Sequence, residues 1–479
     1  MTSTRSGGGA SDAGAFAWRT GTPSDYAILG NEFIDPPAWV VRFARFNAVI
    51  PVADRVEEYR VRVARNGEVV GFEHLLPEAK PGARLDEGAV RTRAADALRA
   101  AYGVDPTVLR PIAADARRQP ARTDWSLVYA ETDPLRYPLK QGEGRYVVRV
   151  AGNEVSAVRG TIHVPESWLR AEADRRAPLD ALQKMLGVIL WIGMTVALGA
   201  TIVAWSRGGF VPKTLLRFGL GVLGVKLFLL AGEWPRELAG FSTAEPVVNQ
   251  AFAWLGGELV HTLFAALSIG AAAAYFESRH PLPRPDGATP EWRRSVLAAV
   301  GFACAWVGFR AATGRIDSRH LSPPLADYAP LAATLPWFEA ATGRLIDLLY
   351  TVAEFLWILA LADLLRSFGR KSDRAARIFQ VLAGLAIVAG TLAYVGAGGI
   401  VSLREWLFTG TVSGLVLALA YFTFLRLHRA WLPLAFLLVG AFGLLKQGFL
   451  YAWPGAWGWF LGAALFAAVG WTWSKRMAK

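Results

Sequence analysis

The chain has 479 residues, of which 53% are hydrophobic and only 19% are charged, and this composition excludes an ordinary soluble protein. Its formal net charge is +12, but the excess Arg and Lys lie in short loops between apolar segments, which is typical of a membrane protein. We therefore expect a lipid bilayer as partner and no nucleic acid. The single cysteine, Cys304, excludes an internal disulfide and a Cys-based zinc site.

The first 30 residues are rich in Gly, Ser and Thr, and we expect residues 1–30 to form a disordered tail. A soluble domain is predicted for residues 31–178. It begins with a β-hairpin, since Tyr59, Val61 and Val63 alternate with polar residues before the turn Asn66-Gly67.

The next element is an amphipathic helix in "LDEGAVRTRAADALRAAYG", with Asp86 and Glu87 in its first turn and Gly103 as its stop. A second hairpin follows, joined through Gly152-Asn153. Together these patterns predict an α+β domain with an antiparallel sheet and a helix on one face. The layout resembles PepSY-like domains. No catalytic motif stands out, so we expect this domain to bind a protein or peptide partner.

Residues 179–479 are predicted to form an α-helical polytopic membrane bundle of about nine spans. The apolar segments lie at about 185–205, 213–232, 248–276, 293–313, 345–366, 376–397, 403–425, 430–450 and 453–473. Basic loops alternate with acidic ones along these segments, and the positive-inside rule places the C-terminus in the cytoplasm. With nine spans the sheet domain lies outside; with one span fewer it is cytoplasmic. We expect an integral protein of the bacterial inner (plasma) membrane.

Charged residues inside the predicted spans are the candidates for chemistry. Glu258 and His261 stand at i and i+3 on one helix, and Lys226 lies in the preceding segment. An acid and an imidazole so placed could share a metal ion, but a zinc site needs three or four ligands, so we predict a helix contact and no metal. Glu354 stands near the centre of "YTVAEFLWILALADLLR" and requires a partner or a function.

The stretch from Leu325 to Arg366 looks like a region of the CPBP family, the CAAX-protease and bacteriocin-processing intramembrane metalloproteases. Leu335-Pro336-Trp337 fits the family's entry to a helix with a Glu-Glu-x-x-x-Arg motif. On that motif Glu354 matches the second Glu, whereas Ala353 and Ile358 replace the first Glu and the Arg. The similarity of pattern extends over roughly residues 36–460.

The resemblance implies a metal site with a histidine on each of two later helices, and neither histidine is present: after Glu354 only His428 remains, in a loop. We therefore predict a pseudoenzyme, a non-catalytic binding or regulatory protein without cofactor, in which Glu354 is a vestige of a catalytic residue. One alternative is an active intramembrane metallo-endopeptidase that has rebuilt its site around Glu258, His261 and Glu354 with zinc or another divalent metal. A second alternative is a transporter or proton-coupled carrier that uses Lys226, Glu258 and Glu354.

Overall fold

The computed structural model describes most of the chain. The described residues are 9–21, 27–28, 30–34, 38–46, 49–64, 67–206, 212–279, 292–313, 335, 337–345, 348–349, 353, 357, 373–396, 403–425, 428–450 and 456–477. The chain divides into two compact units. The first contains the sheet domain together with Glu233–Gly256, and the second contains most of the apolar helices.

Seven antiparallel strands form one sheet in the order β1-β2-β3-β7-β6-β5-β4. The strands are β1 (Trp39–Phe43), β2 (Glu58–Val63), β3 (Val69–Leu75), β4 (Arg110–Arg118), β5 (Thr123–Ala130), β6 (Glu143–Ala151) and β7 (Glu154–His163). Every neighbouring pair along this order runs antiparallel, so the predicted antiparallel α+β domain is confirmed.

Both predicted hairpins form, and glycine explains each turn. Gly67 has φ of 88° between β2 and β3, and Gly152 has φ of 61° between β6 and β7. Positive φ is readily adopted by glycine because it has no Cβ. The predicted amphipathic helix also forms, as α3 (Glu87–Tyr102): Asp86 caps its first turn by accepting from the Ala89 N–H, and Gly103 ends it in the left-handed conformation.

The core of the sheet domain lies between the sheet and two helices. Besides a short helix α2 (Val52–Arg55), this unit contains α1 (Gly9–Thr20). Part of the tail expected to be disordered is thus helical, because Phe16 is fully buried and packs edge-on against Trp168 at 5.2 Å. Packing, rather than composition, orders this segment. Val90 and Leu98 of α3 fill the same core with Leu127 and Tyr146 of the sheet.

The C-terminal part of the chain is helical. Its helices are α4 (Glu166–Ser206), α5 (Pro212–Gly240), α6 (Val247–Arg279), α7 (Trp292–Thr313), α8 (Asp373–Gly396), α9 (Leu403–Ala420), α10 (Leu432–Leu450) and α11 (Ala456–Met477), with a π-helical turn at Tyr421–Leu425. Among the described residues, 5 stretches are long and apolar enough to cross a membrane. They are Lys213–Gly240, Val247–Ala274, Arg374–Leu392, Trp406–Thr423 and Leu432–Leu450.

This number corrects the prediction of nine spans for the part of the chain that the structure describes. Four of the predicted segments are not among the five. Segment 293–313 falls on α7, whose first turn carries Arg293 and Arg294, and segment 453–473 falls on α11, which is rich in Trp and Gly. Segment 185–205 lies within the long helix α4, and most of segment 345–366 lies outside the described residues.

Glycines allow close helix packing in the second unit. Gly458 and Gly462 face the helical stretch 337–345: a Cβ at Gly458 would lie 2.7 Å from the Trp337 carbonyl oxygen, and one at Gly462 would lie 2.9 Å from that of Ala341. Real Cβ atoms do not approach so closely, so only glycine fits there. The two glycines thus form a small-xxx-small packing motif.

Candidate functional sites

The first site is an ion pair between two candidate membrane spans. Lys226 Nζ of α5 lies 3.8 Å from Glu258 Oε2 of α6, and both side chains are mostly buried. About three turns away along the same two helices, glycine permits a close backbone approach, because a Cβ at Gly270 of α6 would lie 2.7 Å from the Leu215 carbonyl oxygen of α5. Lys226 is 13 residues into its 28-residue span, or about 20 Å along the helix.

Each charge in this pair offsets the cost of placing the other in hydrocarbon, where a lone Lys or Asp costs about 2.5–3.5 kcal/mol. The pair thus provides one reason for two charges at mid-span. It also places an acid and a base within ion-pair distance of each other.

Within the described part of the chain, His261 does not join this pair. His261 lies one turn beyond Glu258 on α6 and is exposed, and none of the described contacts connects it to Lys226 or Glu258. Glu354 lies outside the described residues. The structure therefore brings together two of the residues predicted from the sequence.

The second site is an apolar face on the sheet domain that the sequence pattern did not single out. Residues directly opposite each other in antiparallel strands point to the same face, and Phe43 pairs with Tyr59, as Val61 pairs with Phe72. Three of these side chains are markedly exposed: Phe43 by 60%, Tyr59 by 44% and Phe72 by 42%. We call the side chains of Phe43, Tyr59, Val61 and Phe72 the aromatic face.

A cluster of charged side chains adjoins the aromatic face at His74. We call this cluster, formed by Glu57, Lys80 and Glu154 around His74, the charged corner. The His74 ring stacks on Tyr59 with the centroids 3.8 Å apart, and it is almost fully buried. Its Nδ1 lies 2.6 Å from Glu154 Oε1, and its Nε2 lies 3.4 Å from Glu57 Oε1. Glu57 also accepts from Lys80, and this hydrogen bond lowers the pKa of the Glu57 carboxyl, with the neighbouring His74 adding to the effect.

The opposite face of the sheet carries a partly buried arginine, Arg42, which connects β1 to the turn between α5 and α6. Its Nε donates to Glu58 Oε2 at 2.7 Å, and its Nη1 donates to the carbonyl oxygens of Ala239 at 2.8 Å and Phe241 at 2.7 Å. Those carbonyls lie at the C-terminal end of α5, where a cation complements the helix dipole. These residues belong to the first unit.

A partly buried polar network around Tyr146 connects the N-terminal segment to the sheet. The hydroxyl of Tyr146 is shared between Glu32 and Glu131 at 3.0 and 3.1 Å, and Arg136 Nη1 lies 3.0 Å from Glu32. Burial raises the pKa of the Tyr146 phenol, so the hydroxyl stays protonated as a donor. No local sequence pattern predicts this network, because its members are up to 114 positions apart.

Among the residues that the structure describes, no three His, Cys, Asp or Glu side chains converge as metal ligands. No family model, curated protein or solved structure matches the chain.

Proposed function

We propose that this chain is a non-catalytic membrane protein whose sheet domain binds a protein or peptide partner through the aromatic face. The exposure of three aromatic rings on one sheet face carries this proposal. Exposed apolar clusters of this kind mark interaction sites, and aromatic side chains are enriched at the centres of protein interfaces. Glu154, half exposed beside His74, favours a partner with a basic residue next to an apolar one.

The Arg42 contact supports a role in which binding reaches the membrane helices. The same sheet that carries the aromatic face has its other side bonded to the last turn of α5. A partner that shifts β1 and β2 would change the fit of Arg42 against the Ala239 and Phe241 carbonyls. This connection between the sheet and α5 favours a binding or regulatory role for the protein over a role in membrane anchoring alone.

The resemblance to CPBP intramembrane proteases leads to the same proposal. A chain that has Glu354 but lacks the histidines of the family's metal site is expected to be a pseudoenzyme. The active metallo-endopeptidase with a rebuilt site stays an alternative hypothesis. The carrier hypothesis is favoured by one observation, the mid-span pair of Lys226 and Glu258.

Charge supports an orientation with the sheet domain outside the cytoplasm. The sheet contacts the turn after α5, whereas the opposite end of α5 carries Lys213 and Arg217, and α6 ends in Arg279. Under the positive-inside rule those basic ends face the cytoplasm. We propose the bacterial inner membrane as the location, with the C-terminal residues "SKRMAK" in the cytoplasm.

A photo-reactive phenylalanine analogue at Phe72 tests the binding proposal in cells. We expect a discrete polypeptide adduct, lost when Tyr59→Ser is added, because both rings belong to the same face. The matched control position is Leu135, which is 89% exposed in the same domain and should give no such adduct. Adducts with lipid alone, or equal adducts at both positions, would overturn the proposal.

The pseudoenzyme part is tested separately with Glu354→Gln. Purified chain, supplied with zinc and a labelled transmembrane peptide, should release no fragment before or after the substitution. Cleavage by the unaltered chain that disappears in Glu354→Gln, with the fold intact, would establish the metalloprotease alternative instead.

A further inference from the structure

An apolar groove lies between α7 and the C-terminal half of α9 in the second unit. Its volume is about 490 Å³, within the range of roughly 300–1,000 Å³ that small-molecule sites occupy. Ala298, Gly301 and Ala305 of α7 line one side, while Leu419 and Thr423 line the other. The lining is apolar apart from the Thr423 hydroxyl, and that hydroxyl already donates to the Leu419 carbonyl oxygen at 2.7 Å.

The groove exists because small side chains follow one stripe of α7. Positions 298, 301 and 305 are spaced at i, i+3 and i+7, so they lie on one helix face. A Cβ at Gly301 would meet nothing within 4 Å, which shows that the space beside it is open. Phe302 and Trp306 also border the groove.

Two arginines precede the groove-lining residues of α7 by about one helical turn. Arg293 and Arg294 lie in the first turn of α7, just before Ala298, and both are exposed. Ser295 Oγ of the same turn lies 2.8 Å from Nδ1 of His428, which follows the π-helical turn containing Thr423. This contact brings the Thr423 end of the groove to the end of α7 that carries the arginines.

We propose that the groove holds an acyl chain of an anionic bilayer phospholipid, whose headgroup phosphate binds Arg293 and Arg294. The apolar walls suit the chain, and α9 contributes a candidate membrane span to them. Basic pockets between membrane helices bind anionic headgroups by charge complementarity. The site is independent of the aromatic face and of the Lys226–Glu258 pair.

Lipid binding to the purified full chain in detergent tests the proposal, with phosphatidylglycerol and phosphatidylcholine of the same acyl chains as probes. Native mass spectrometry and the shift of the thermal unfolding midpoint measure binding. We expect phosphatidylglycerol to bind more tightly by roughly 30-fold, the effect of two arginines near an anionic headgroup. Arg293→Ser combined with Arg294→Ser should remove this preference without preventing acyl-chain binding.

The groove itself is tested by Gly301→Leu, which fills the open space. The matched control is Gly308→Leu on the same helix, where a Cβ also meets nothing within 4 Å but which does not line the groove. Binding of both lipids should weaken in Gly301→Leu and persist in Gly308→Leu. Equal affinity for the two lipids, or equal behaviour of the two leucine variants, would overturn the proposal. So would a Gly301→Leu effect that proves to be loss of a dimer, because a second copy would then occupy the groove.

Discussion

At the scale of single residues, the Lys226–Glu258 pair makes the sharpest prediction. Glu258→Gln leaves the Lys226 ammonium without its counter-charge in a span, so we expect a loss of about 1–2 kcal/mol in stability. Lys226→Met should cost a similar amount, and the double variant should recover most of the loss. Thermal unfolding in detergent measures this double-mutant cycle.

Lys446→Met is the control for this cycle, because Lys446 is exposed near the end of its candidate span and should change the unfolding midpoint little. Additive losses in the double variant would show that the two charges do not support each other. Ion or proton flux in proteoliposomes that stops in Glu258→Gln would favour the carrier hypothesis.

A second residue-scale prediction concerns acid sensitivity of the charged corner. Lys80 and His74 hold the pKa of Glu57 below its ordinary value, about 4.3. A carboxyl with a lowered folded-state pKa contributes stability above that ordinary value, and the contribution is lost as the pH falls through the folded-state pKa. Lys80→Gln should therefore lower stability at neutral pH and flatten its acid dependence.

The measurement is thermal unfolding of the full chain at several pH values, followed by hydrogen exchange of β2 and β3. Exchange of these two strands reports the stability of the sheet near Glu57 and not that of the membrane helices. Lys140→Gln is the control, since Lys140 is an exposed lysine of the same domain. Identical pH profiles for the two variants would show that the Glu57 contact contributes nothing.

At the scale of elements, glycine-to-alanine substitutions on α11 and on α10 should have opposite effects on stability, because only the α11 glycine lies in a tight helix contact. Gly458→Ala would put a Cβ 2.7 Å from both the Ala340 Cβ and the Trp337 carbonyl oxygen, and overpacking of this kind costs about 1–3 kcal/mol. Gly443→Ala on α10 meets nothing within 4 Å, so higher helix propensity should stabilise it by up to about 1 kcal/mol.

Unfolding midpoints of the two alanine variants in one detergent provide the comparison. A neutral Gly458→Ala would mean that α11 and residues 337–345 can separate without loss.

The elements that could be predicted from the sequence are those with local causes. The turn at Gly152 and the cap at Asp86 depend on residues close in sequence, so both hairpins and α3 were predicted correctly. Helix α1 was not, because its burial through Phe16 depends on Trp168, about 150 positions later. Lys226 and Glu258 could be chosen from the sequence as candidate site residues, because a charge inside a predicted span is energetically unfavourable. Their pairing could not be predicted, because it depends on how α5 and α6 pack.

At the scale of the whole molecule, the proposed orientation predicts which positions are accessible from outside. Cysteines at Leu135 in the sheet domain and at Glu245 between α5 and α6 should react with an impermeant thiol reagent in intact cells. A cysteine at Arg374, at the basic start of α8, should react only after permeabilisation. The background should be Cys304→Ser, because Cys304 is exposed on α7. Protection of Leu135 with labelling of Arg374 would reverse the orientation.

The bond between Arg42 and Ala239 spans 197 positions, and this separation has a consequence for biosynthesis. β1 leaves the ribosome long before α5 does, so the guanidinium is paired with Glu58 while the carbonyls that complete its shell have not been synthesised. The sheet can close its own strands early, but Arg42 gains its last two acceptors only once α5 has been translated and inserted. The contact that joins β1 to the end of α5 therefore forms only after more than 190 further residues have been added to the chain.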